Sequence, residues 1–159
     1  MRYVYFEFDG EKFCIEIDGS HTALRQIIED TNGQVLVSCR DGCLAEGDVI
    51  PEEFACEFSD ISHAEFELFW RKHTEKLRKS WNTVKEHFPV GAEISGTIRY
   101  FYPHGVIVNL DDAQGCADCN ATMSNSPQNA MYPGCRLSGV VSGYDDINFW
   151  VLITDSHAE

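Results

Sequence analysis

The chain predicts an α+β N-terminal half that ends in a long helix, followed by an all-β five-stranded barrel. Three observations carry this. Residues 1–61 mix alternating apolar runs with helix and turn signals; residues 62–88 hold a stripe of apolar side chains at helical spacing; and the remainder is cut into short β-rich runs by Gly, Asn and Asp. At 159 residues, with 43% hydrophobic and 24% charged side chains, the chain is long and apolar enough to bury a core, which excludes wholesale disorder.

Residues 3–8 and 12–18 are β-rich runs split by Asp9-Gly10, a dipeptide that accepts the positive φ angles of a tight hairpin. Ser20 is placed to cap a short helix in which Ala23, Leu24, Ile27 and Ile28 recur at helical spacing, and Asn32-Gly33 supplies a left-handed stop. Residues 34–39 (QVLVSC) form the next expected strand. The subdomain over residues 1–61 therefore has the order strand, strand, helix, strand, and closes with an acidic loop punctuated by Gly42, Gly47 and Pro51.

Residues 62–88 predict one continuous helix. Ser62 and Glu65 make an S-x-x-E capping box, and Pro89 ends the element. Phe66, Trp70, His73, Leu77, Trp81, Val84 and Phe88 repeat at steps of three or four. At 1.5 Å per residue the helix would be roughly 40 Å long, more than one small sheet needs, so it is expected to bridge the two halves. Beyond it, residues 89–159 hold candidate strands at 92–101, 105–110, 114–119, 135–142 and 147–154, with a long Ser-, Asn- and Pro-containing loop at 120–134. Five short strands in so few residues predict a small closed barrel. Gly96 and Gly105 would permit its bends while Ile94, Ile98, Val106 and Val108 alternate inward.

The segments Val90-Gly91-Ala92-Glu93-Ile94-Ser95-Gly96-Thr97-Ile98, His104-Gly105-Val106-Ile107-Val108-Asn109-Leu110, Gly115-Cys116, Gly134-Cys135-Arg136-Leu137-Ser138-Gly139-Val140-Val141 and Trp150-Val151-Leu152 resemble, in order and spacing, the ribosomal S-one RNA-binding motif. The resemblance covers about residues 89–154 and implies an OB-fold barrel. It also implies stacking aromatics beside the glycine at 105, but His104 and Ile107 stand there, and Asp118 replaces the family's histidine. After residue 90 only Arg99 and Arg136 are basic, against eight acidic residues. Such a surface repels phosphate, so the usual ligand does not transfer directly. The whole layout is also similar to small acidic bacterial proteins of unassigned or immunity-type role, which implies a toxin as one kind of partner.

Charge points the same way. With 12 Lys and Arg against 26 Asp and Glu, the net charge is -14, which disfavours generic polyanion coating and favours a basic partner or plain solubility. Glu46, Asp48, Glu52, Glu53, Glu57 and Asp60 form an acidic patch suited to steering a basic protein, with a hydrated loop as the structural alternative. Arg71, Lys72, Lys76, Arg78, Lys79 and Lys85 make the one basic stretch, read as a solvated helix face that offsets the protein's own carboxylates. Together with Tyr100, Tyr102 and His104, the cations Arg71, Lys72, Lys76 and Lys79 define the alternative, an RNA or single-stranded nucleic-acid surface.

No catalytic fingerprint occurs: G-x-S-x-G, H-E-x-x-H, the P-loop and the dinucleotide motif are all missing from the chain. The six histidines show no ligand spacing. Cys39 with Cys43 and Cys116 with Cys119 could be imagined as four thiolate ligands, yet positions 116 and 119 of a strand face opposite ways, so no metal or cofactor is assigned. Seven scattered cysteines read as reduced thiols in a cytoplasmic protein. Glu7 and Asp9 interrupt any leader, and no apolar run reaches membrane length. The expectation is a non-catalytic, acidic protein-binding module of the immunity or inhibitor type.

Overall fold

Asp9 and Gly10, at φ 49° and 82°, turn the chain between β1 (Arg2–Phe8) and β2 (Glu11–Ile17), as the dipeptide predicts. The computed structural model describes residues 1–159, and they divide into two units, Met1–Lys76 and Leu77–Glu159. In the first, β1 and β2 join β3 (Ala23–Glu29), β4 (Val35–Val37) and β5 (Phe58–Asp60) in an antiparallel sheet of order β4-β3-β2-β1-β5.

The expected helix at Ala23, Leu24, Ile27 and Ile28 is instead strand β3. The segment lies between β2 and β4 and pairs with both, and this pairing overrides its helical spacing. Its flanking signals serve as strand turns. The Asp18 carboxylate, not Ser20, organises the first turn, accepting the Ser20 and Thr22 amides at 2.8 and 2.9 Å while His21 takes φ 64°. Asp30 accepts the Asn32 and Gln34 amides at the second, with Gly33 at φ 77°. The expected strand over 34–39 stops at Val37, and the chain turns into the short helix α1 (Ser38–Asp41), whose Ser38 Oγ accepts the Gln26 amide at 3.0 Å.

One face of the sheet carries Tyr3, Glu16 and Arg25 in register and is covered by α2 (His63–His73). Phe66 of this helix lies 5.2 Å from the Tyr3 ring. The other face holds Phe6 and Phe13, stacked at 4.8 Å, with Phe54 4.6 Å from Phe6.

The single long helix is corrected to two. The capping box is present, with Glu65 N–H donating to Ser62 Oγ at 3.2 Å and Ser62 N–H donating to Glu65 Oε2 at 2.8 Å. The helix ends at His73, however, and α3 (Glu75–His87) begins after Thr74. Fully buried Thr74 donates its hydroxyl to the Trp70 carbonyl at 2.7 Å, a local bond that competes with continued helix. The apolar stripe is thereby shared. Phe66 and Trp70 are buried in the first unit, whereas Leu77, Trp81, Val84 and Phe88 pack on the core of the second.

That second unit is a closed barrel of β6 (Glu93–Tyr102), β7 (Gly105–Asn109), β8 (Gln114–Ala117), β9 (Arg136–Asp145) and β10 (Trp150–Ala158), in the order β10-β8-β7-β6-β9. Neighbours are antiparallel except β8 and β10. Ile98, Val106, Val108, Leu137, Val141, Val151 and Ile153 fill it, with Ile94 partly buried against them. Gly96 is required by closeness: a Cβ there would lie 2.2 Å from the Asn109 carbonyl oxygen. The strand expected to run to residue 119 ends at Ala117, because Asp118 caps α4 (Cys119–Ser124) inside the expected loop. No helix is long and apolar enough to cross a membrane.

Candidate binding surface

The barrel's outer face gathers aromatic side chains. Successive strand residues point in opposite directions, so Val106 and Val108 enter the core while Ile107 faces out, and Val151 and Ile153 enter while Trp150 and Leu152 face out. On β6 the register slips between Ile98 and Tyr100. The slip keeps Ile98 inside yet sets Tyr100 opposite Ile107 and Tyr102 opposite Gly105, on the outer face.

Tyr100 and Tyr102 have ring centroids 4.8 Å apart, Tyr102 lies 6.2 Å from Trp150, and His104 meets Trp150 edge-on at 5.2 Å. Trp150 is the floor, at 1% exposure; Tyr100, Tyr102 and His104 are half-buried above it. The Tyr100 hydroxyl donates to Gln114 Oε1 at 3.0 Å, which fixes its ring. Beside them the Cys116 thiol contacts the His104 carbonyl at 3.5 Å. Burial pushes this thiol up to about 12, and the carboxylates Asp145 and Asp118 push it in the same direction, so it is no nucleophile at neutral pH.

Those two carboxylates define the charge of the surface. Asp145 closes the β9–β10 turn by accepting the Ile147 and Asn148 amides at 2.8 and 3.0 Å, and Asp118 accepts the Ala121 amide at 2.7 Å. An aromatic surface edged by carboxylates attracts cationic groups through its ring faces, and it also offers planes on which flat groups stack.

The acidic patch lies in the first unit, and all six of its side chains are exposed. Buried Leu44, Val49 and Pro51 anchor the loop that carries Glu46, Asp48, Glu52 and Glu53. Arg2 draws Glu52 and Asp60 together, at 2.7 and 2.6 Å, and holds both carboxyls below their ordinary range. Glu46, Asp48, Glu53 and Glu57 are in no ion pair. The patch is thus four uncompensated carboxylates and two that share the single charge of Arg2.

The basic residues do not join the aromatics on one element. Arg71 and Lys72 are exposed on the last turn of α2, whereas Lys76 and Lys79 are exposed on α3. Of the alternative set, Tyr100, Tyr102 and His104 are brought together. Trp150 completes their cluster; its signal in the sequence was a large aromatic alternating with buried Val151, in a run otherwise aliphatic. Cys116 sits on β8 and Cys119 opens α4, and no three His, Cys, Asp or Glu side chains are arranged to hold a metal ion. No family model and no curated protein matches the chain.

Proposed function

We propose that the protein is a non-catalytic binding protein on an S-one-like OB barrel, and that it recognises a basic protein partner in the manner of an immunity or inhibitor module. The topology supports the fold assignment: numbering the barrel strands one to five, the closed order is five, three, two, one, four, with strands three and five parallel and a helix between three and four. OB barrels bind ligands on the face of strands two and three and on the adjoining loops; Tyr100 and Tyr102 of strand one, His104 of the turn between strands one and two, and Trp150 of strand five flank that face.

The observation that carries the choice of partner is the carboxylate content of both exposed surfaces. Asp118 and Asp145 stand beside the aromatic face, and Glu46, Asp48, Glu53 and Glu57 stand uncompensated in the first unit. Phosphate is repelled by each; lysine and arginine side chains are attracted. A second reading, single-stranded nucleic acid, is favoured by the Tyr100–Tyr102 pair, since stacking on aromatic side chains contributes about 1–3 kcal/mol per base.

Titration of a labelled, mixed-sequence single-stranded RNA at low salt separates the two. The basic-partner reading expects no saturable binding there, and expects a captured protein partner to be released by salt and lost when Glu46, Asp48, Glu53 and Glu57 are changed together to Lys. Micromolar RNA binding that disappears in the Tyr100→Ala, Tyr102→Ala double variant overturns it.

A further inference from the structure

Where α2 leaves its face of the sheet uncovered, the first unit holds a cavity of about 250 Å³. Its floor is formed by Tyr5, Cys14 and Ile27, which lie in register across β1, β2 and β3, and Phe69 of α2, 40% exposed, forms a wall. Burial pushes the Cys14 thiol up to about 12, so its sulfur presents apolar surface only.

The rim is polar and its charges are unequally committed. Glu29 accepts Lys12 Nζ at 2.8 Å, and nearby Glu7 accepts the Tyr5 hydroxyl at 2.6 Å. Both carboxylates are therefore engaged. Lys72 and His73, from the last turn of α2, also line the cavity, and neither side chain makes a hydrogen bond. Two donors without acceptors stand over an apolar floor.

We propose that this cavity binds a small amphipathic monoanion: one aromatic or branched apolar group bearing a single carboxylate. The apolar body rests on Cys14 and Ile27 beside Phe69, and the carboxylate accepts from Lys72 and His73. Size agrees, since an apolar cavity of about 150 Å³ holds benzene, and this one has room for a ring with a short acid arm. The chain's net charge of -14 opposes any anion, but exposed charges beyond about 8 Å are largely screened at physiological salt. At the rim, Glu29 meets the ligand already paired.

The imidazole adds a pH dependence. Burial first and Lys72 second hold His73 below its ordinary value, Glu29 opposing. Lys12 on β2 is tied to Glu29, and Tyr5 and Cys14 are neutral at these pH values. A bound carboxylate favours the imidazolium, so binding takes up a proton and strengthens as pH falls below neutrality.

The test is a titration of the full-length, nitrogen-15-labelled chain with 3-phenylpropionate, 3-phenylpropan-1-ol and 3-phenylpropylamine, read by amide chemical shifts. The carboxylate should bind with a dissociation constant of about 5 mM or tighter, with shifts centred on Cys14, Ile27, Phe69 and His73. The alcohol and amine should bind at least tenfold more weakly. Lys72→Glu, at an exposed site where folding is not at stake, should weaken the carboxylate at least tenfold, and Lys72→Arg should retain it. Affinity should rise between pH 7.5 and 5.5, and this rise should vanish in His73→Gln. Equal binding of the three probes, shifts centred elsewhere, no binding of the carboxylate, or an unchanged Lys72→Glu would each overturn the proposal.

Discussion

Replacing Arg25 by Met should be among the most damaging single changes in the first unit. The Arg25 side chain is 6% exposed and donates from Nε and Nη2 to Glu16 at 2.6 and 3.2 Å, and from Nη2 to Glu67 at 2.6 Å. Its guanidinium also lies 4.8 Å from the Phe66 ring and 5.1 Å from Trp70. Glu16, at 9% exposure, would keep its charge in the interior with no cation; Glu67, at 31%, could turn to water. Removing one partner of a buried pair costs about 3–5 kcal/mol, a large share of the roughly 5–15 kcal/mol available to a domain.

The companion variant isolates the cause. Arg25 Nη1 is buried without a partner, so the wild-type network is itself imperfectly satisfied. Changing Arg25 to Met and Glu16 to Leu together removes both desolvated charges and should recover stability to within about 1 kcal/mol of wild type. Urea unfolding followed at the amides of β2 and β3 reads the first unit alone. If Arg25→Met loses less than about 1 kcal/mol, or if the double variant is no better than the single one, the reasoning from buried charge fails.

Two further outcomes test the barrel. Gly96→Ala would place a methyl 2.2 Å from the Asn109 oxygen and 2.7 Å from Val108 Cγ1, so it should cost about 1–3 kcal/mol or prevent closure, whereas Gly143→Ala, whose nearest neighbour would be Leu152 at 3.9 Å, should change stability by no more than about 0.5 kcal/mol in thermal melts. Asp146 accepts Lys85 Nζ and, at 2.7 Å, Trp81 Nε1, and these hold its carboxyl below the ordinary aspartate value. Because the folded value is the lower one, the stabilisation is complete above the unfolded value near pH 4 and is lost as pH falls through the folded value. Asp146→Asn should therefore flatten the acid limb of the stability profile below about pH 4; identical limbs would refute the linkage.

The elements legible in the sequence were those whose signals are local. Asp9-Gly10 demands a hairpin wherever it falls between β-rich runs, and Ser62 with Glu65 satisfies helix donors whatever lies beyond. The closed barrel was legible because its glycines and alternating aliphatics describe steric contacts internal to one small unit. Residues 23–28 failed for the opposite reason: Ala23, Leu24, Ile27 and Ile28 satisfy a helical period, and only pairing with β2 and β4 decides for strand. Thr74 carried no warning, since its hydroxyl bond to Trp70 follows from burial. The aromatic face was half legible. Tyr100 and Tyr102 alternate plainly, but the slip after Ile98 that turns them outward, and Trp150 beneath them, depend on cross-strand register.

Register also decides where the acidity acts. Cross-strand pairing ties Lys12 to Glu29 and Arg25 to Glu16, and Arg2, Arg40 and Lys85 are likewise bonded to carboxylates within their own units. These cations are committed inside the fold and are not offered to a polyanion. What faces solvent in excess is the opposite sign, at Glu46, Asp48, Glu53 and Glu57. At those five cations a phosphate backbone would have to displace internal ion pairs, which leaves it the exposed cations of α2 and α3, such as Arg71, Lys72 and Arg78, whereas a lysine- or arginine-rich protein meets carboxylates that no internal cation has claimed. A single anionic headgroup stands apart from both, because the sheet cavity offers it Lys72 and His73, which no carboxylate of the protein holds by a hydrogen bond.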